Sequence, residues 1–210
     1  MLEAPTLKHV LAHRDRDDGA ACCILLAPRF SRVGREEVIP RIGYLDHRSG
    51  EHVHFYCAGY GGYWHRSLVP DMEEIGDVKY RNGTVIPWAF SQRLFAAFVD
   101  ELEGATRWRY SGNVELILLS PQVDFSTALT LDIEAMVSDG GIRSSAELFE
   151  AIIRYCRTAA GNPSAYNFSD LQGAKELGKG ALDSLLTLLP KPVRGVWERG
   201  RHYAVKNIAL

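Results

Sequence analysis

Cysteine is scarce in this chain and badly placed for chemistry. The four residues of this type, Cys22, Cys23, Cys57 and Cys156, all sit in apolar stretches. None forms a C-x-x-C pair, so neither a disulfide framework nor a paired-thiol site is expected, and each reads as a small buried hydrophobe. A basic excess is missing too. The net charge is −2 and the pI about 6.4, which argues against a nucleic-acid partner. Long hydrophobic runs are absent: "AACCILLAP" falls far short of the ~20 apolar residues that span a bilayer. The opening MLEAPTLKHVLAHRDRDDG is too polar for a secretory leader, so a soluble, cytoplasmic protein is expected. Internal repeats and low-complexity tracts are lacking as well.

What is present is ordinary globular composition, 46% hydrophobic and 24% charged, in 210 residues. "CCILLA" (22–27) and "VELILL" (114–119) are almost continuously apolar, as strands covered on both faces are. "EHVHFYC" alternates, with Val53, Phe55 and Cys57 on one face and His52, His54 and Tyr56 on the other. "LTLDIEAMV" also alternates, so these two are expected at sheet edges. "IPWAFSQRLFAAFVDELEG" predicts a helix with Pro87 in its first turn, and "SSAELFEAIIRYC" a helix opened by a Ser144–Glu147 capping box. "GREEVIPRIGYLDHRSG" is a helix that Pro40 should kink. Residues 58–86 form a Gly- and aromatic-rich insertion, with a hairpin turning at Asn82-Gly83. Two units are expected: 1–162, and a helical appendage over 163–210 whose leucines Leu171, Leu182, Leu185 and Leu189 share a face for a protein partner or homo-oligomer.

The order is α/β: βαβ, the insertion, then αββα. With two central apolar strands and the proline-kinked helix of "ILLAPRFSRVGREEVIPRIGYL", it resembles the thioredoxin-like superfamily over about residues 20–158. The redox motif is gone. "RFSRVGR" stands where the family carries C-x-x-C, and "SGNV" where it has a proline before the third strand. The resemblance therefore implies a redox-inactive scaffold without a cofactor.

Two chemical readings follow. Arg29, Arg32 and Arg35 lie where that family places its active site, at a helix N-terminus that favours anions. Beside Tyr60, Tyr63 and Trp64 of the insertion, they point to a binding or regulatory module that recognises a protein partner or anionic ligand. The chain has the style of small bacterial proteins that serve defence or conflict systems beside a partner. The alternative is a metal-dependent hydrolase or nuclease with a divalent metal. His52 and His54, two apart on one strand face, would chelate it with His65, or Asp71, Asp77 and Lys79 would form a PD-DxK-like site. Asp132, Glu134 and Glu115 are a further carboxylate group, read as surface ion pairs before acid–base chemistry. "HRDRDDG" (13–19) reads as a charged connector.

Overall fold

The computed structural model describes residues 2–16, 18–80, 82–160, 162–166, 188 and 204–210. They form an α/β fold built on a mixed sheet. Its strands are β1 (Leu2–Ala4), β2 (Ala21–Leu26), β3 (Val53–Ala58), β7 (Glu115–Leu119), β8 (Leu129–Asp132) and β9 (Ala204–Lys206), in the order β1-β3-β2-β7-β8-β9. β1, β3 and β2 run parallel; β7 is antiparallel to β2, β8 to β7 and β9 to β8. The continuous apolar runs are the two central strands, buried at every position, because helices cover both faces.

Pleating settles which side each residue serves. Cys23 pairs with Phe55, and Phe55 meets Phe149 edge-on at 5.7 Å. Cys22 pairs with His54 on the opposite face. The helices α1 (Leu7–Leu11) and α3 (Gln92–Ala105) lie on the His54 side, joined where Glu101 accepts the Leu7 N–H at 2.7 Å. On the Phe55 side α2 (Ile42–Ser49) packs against α5 (Ser145–Ala159), tied by Arg48 to Glu150 at 2.7 Å. Pro40 disturbs its helix as expected. With no N–H to give and a ring that crowds the preceding turn, it leaves a π-helical stretch at Gly34–Val38 and a 3₁₀ turn at Ile39–Arg41 before α2 begins.

Four expectations are corrected. The alternating strands β3 and β8 are not edges, since the three-residue β1 and β9 flank them; edges this short offer little to a stray strand. "LTLDIEAMV" is two elements. The Asp132 carboxylate accepts the Ala135 N–H at 2.8 Å, and this cap starts α4 (Ile133–Ser138), whose buried Ile133 and Met136 are three apart. Pro87 lies in a strand. The insertion is a second antiparallel sheet, β4 (Tyr60–Gly62), β6 (Val85–Ser91) and β5 (Met72–Lys79), in the order β4-β6-β5. The Pro87 carbonyl accepts from Tyr63 N just beyond the end of β4, so its missing N–H falls on the side where no ladder partner is lost. The helix starts instead at Ser91, whose hydroxyl accepts the Leu94 N–H. Finally, Ser144 makes no side-chain cap at α5: Glu147 reaches back to Arg143 N, and Glu37 accepts Ser145 N at 2.8 Å.

The hairpin does turn at Asn82-Gly83, where Gly83 adopts φ +86 and Asn82 accepts the Thr84 N–H. β9 belongs to the main sheet, Ile208 is buried, and Tyr166 donates to the Cys156 carbonyl. Leu171, Leu182, Leu185 and Leu189 lie outside the described residues. Among those described, no helix is long and apolar enough to cross a membrane.

Candidate functional site

At β2 the sheet changes direction, with parallel β3 on one side and antiparallel β7 on the other. Ligand sites in α/β sheets favour the carboxyl ends of strands. There the chain leaves Leu26 as Ala27-Pro28-Arg29-Phe30-Ser31. Ser31 organises the loop. Its N–H donates to the Pro28 carbonyl at 3.1 Å, and its hydroxyl accepts the Gly34 N–H at 3.0 Å. The same hydroxyl donates to Glu134 Oε2 at 2.7 Å, and that oxygen also accepts Val114 N at 3.1 Å. The loop is thereby stitched to α4 and to the start of β7. Glycine is required at 34 for space: a Cβ there would stand 2.5 Å from the Pro28 carbonyl oxygen.

This frame leaves Phe30 outside, 61% exposed. Arg29 crosses to the second sheet, pairing with Glu73 at 3.0 Å and donating to the Glu74 carbonyl at 3.3 Å. Arg32 and Arg35 share one carboxylate, Glu36, at 3.6 and 3.3 Å. Pairs this exposed are each worth about 0–1 kcal/mol, so an incoming group can displace them. The insertion does fold back to the loop, through Arg29 and through the Tyr60 hydroxyl, which donates to the Ala27 carbonyl. Tyr60 itself is in the core, 1% exposed. Tyr63 is exposed, with φ at 56. Trp64 is half-buried on Gly61, beside the small cluster of Val69, Met72 and Ala89.

No thiol stands at this loop. All four cysteines are buried, and burial pushes each thiol upward, to about 12 for Cys57 and for Cys156.

The histidines go to different partners. His54 Nε2 meets Asp18 at 2.9 Å, while His65 bonds its neighbour Ser67. His52 precedes β3, its carbonyl accepting from Ala21 N. Among the described residues, no set of three or more His, Cys, Asp or Glu side chains is placed to hold one metal ion, these three included. Asp71 serves the start of α3, accepting from Ser91 Oγ and Arg93 N. Asp77 follows six residues along, about 20 Å at strand rise, too far to share an ion with Asp71.

The carboxylate group has structural partners. Glu115, 3% exposed, pairs in register with Asp132 and accepts from Trp108 Nε1 at 2.9 Å and from both Ser111 donors. Burial raises its carboxyl above the usual range despite those bonds. A polar chain at the opposite end of β2 and β3 escapes the sequence reading: His13, 1% exposed, bonds Tyr56 and the Ala20 carbonyl, beside the His54–Asp18 pair. Its one sequence signal is that His54 and Tyr56 share the less apolar face of an alternating strand.

Comparison with known protein families, with curated proteins and with solved structures finds no match to this chain.

Proposed function

We propose that the chain is a redox-inactive, thioredoxin-like binding module that recognises a protein partner through the loop after β2. The observation that carries this is Phe30, 61% exposed on a loop whose backbone is pinned by Ser31, Glu134 and Gly34. A large apolar side chain held outward on a fixed loop, with arginines at 29, 32 and 35, is the composition of a binding hot spot. Because the loop is already ordered, little conformational freedom is lost on docking. The family reading is supported by β2 and β3 running parallel through a proline-kinked helix, followed by the antiparallel pair β7 and β8 and the long helix α5. The loop carries Arg29-Phe30-Ser31-Arg32 in place of thiols. Glu134, bonded to Ser31 at the helix start, already supplies negative charge there. This favours an apolar anchor with flanking arginine contacts over a small anion seated on the helix end.

The test is affinity capture from host cells with wild-type protein and with the Phe30→Asp/Arg32→Glu double variant. A partner retained by the wild type and lost by the folded variant is the expected result. Equal retention by both contradicts the proposal.

A further inference from the structure

We propose that His13 is a proton-sensitive latch: its protonation releases the Ala12–Asp15 turn and the run-in to β2 at residues 18–20, while the rest of the sheet stays folded. The two ring nitrogens define the closed state. Nε2 lies 2.9 Å from the Ala20 carbonyl, which can only accept, so this nitrogen carries the hydrogen. Nδ1, 3.1 Å from the Tyr56 hydroxyl, then accepts from it. Neutral imidazole thus satisfies both contacts in a position 1% exposed to solvent.

A second proton breaks this arrangement. Nδ1–H would face the Tyr56 O–H, so the hydroxyl must turn or the contact is lost. The new charge is also badly surrounded. From β3 it faces the ring of His54, edge-on with centroids 5.5 Å apart, and that of Tyr56 at 5.6 Å. From the loop before β2 it faces Arg16 and Asp18. Asp18 is the acid that bears on it among the described residues, and it is already bonded to His54 and to Arg16, each at 2.9 Å. Burial, reinforced by His54 and Arg16, holds His13 below the ordinary imidazole value of 6.5 although the Ala20 bond opposes this.

Opening returns the ring to water, where it takes a proton at its ordinary value. As pH falls below 6.5, the open form therefore gains about tenfold per unit for each proton bound, until the folded value is reached. The segment has few other ties. Arg14 donates to the Gln122 and Val123 carbonyls, Ala20 N donates to Asp18, and Arg14, Asp15, Arg16, Asp18 and Gly19 are exposed. Such stretches are the ones that open locally. The latch stands at the opposite end of β2 from Phe30, so it is independent of the binding proposal.

Amide hydrogen exchange on the full chain between pH 7.5 and 5.5 tests it, with ring NMR of His13 alongside. After correction for intrinsic rates, protection of the Arg16 and Ala20 amides should fall about tenfold per unit below 6.5. Amides of β2 and β7 should hold. His13→Gln, neutral throughout, should remove at least one proton from that dependence. Flat protection in the wild type, or an undiminished slope in His13→Gln, overturns the latch. If the variant leaves the segment open at every pH, the wild-type ring decides: titration below 6.5 supports the latch, and titration at or above 6.5 overturns it.

Discussion

Gly34 beside the candidate loop and Glu115 at the start of β7 show how much a single position can decide. At Gly34 there is no room for a Cβ against the Pro28 carbonyl, so Gly34→Ala must push the loop away from the helix start. The expected loss is about 1–3 kcal/mol by urea denaturation, with weaker partner capture; an unchanged midpoint would mean that the loop yields freely. Glu115 is a buried carboxylate held by the Trp108 indole and by Ser111. Trp108→Phe removes one donor and should cost about 1–3 kcal/mol near neutral pH. Because burial raises the Glu115 carboxyl, the folded state prefers its protonated form. Its contribution is present below the ordinary value of 4.5 and fades as pH rises through the folded value. The penalty of Trp108→Phe should therefore shrink in acid, which a pair of denaturation curves at pH 4.5 and 7.5 would show.

Among the elements, α5 makes the sharpest contrast. Its first turn is capped from a distance, with Glu37 on Ser145 N, and not by Ser144. Ser144→Ala should stay within about 0.5 kcal/mol of wild type, whereas Glu37→Ala should cost about 1 kcal/mol. Equal losses in thermal melts would restore the local cap. This pair also shows what the sequence can reveal. The serine and Glu147 have capping-box spacing, but the acceptor that wins comes from another element, and no local pattern contains it. Where local physics decides, the reading holds: the apolar runs of β2 and β7, the Pro40 disturbance and the Asn82-Gly83 turn. It fails at β1 and β9, which at three residues show no period. At Pro87 it fails because a strand tolerates that proline only where β4 has already ended. Of the candidate site, the arginines and the missing thiols were legible. The exposure of Phe30 was not, since it depends on Glu134 and Gly34 fixing the loop from outside. His13 was hidden among Arg14, Asp15, Arg16 and Asp18, which are exposed while it is buried.

For the whole molecule, the charge distribution predicts an acid limit that begins early. Burial holds His13 and His54 below their ordinary 6.5, Asp18 notwithstanding. Their stabilisation is complete above that value and is lost as pH falls through it. Glu150, brought to about 2 first by its Arg48 bonds, fails only later, below the ordinary carboxylate range. Thermal midpoints should be level above pH 7 and decline already between 6.5 and 5; a plateau down to pH 4.5 would deny the histidines that role. The proposed binding surface, by contrast, is centred on Phe30. A photo-crosslinking residue placed at Phe30, with a control at exposed Ala96 on α3, tests it most directly in host cells. A discrete crosslinked protein is expected from position 30, absent from position 96 and abolished by Arg32→Glu/Arg35→Glu. Indistinguishable background from the two positions would contradict it.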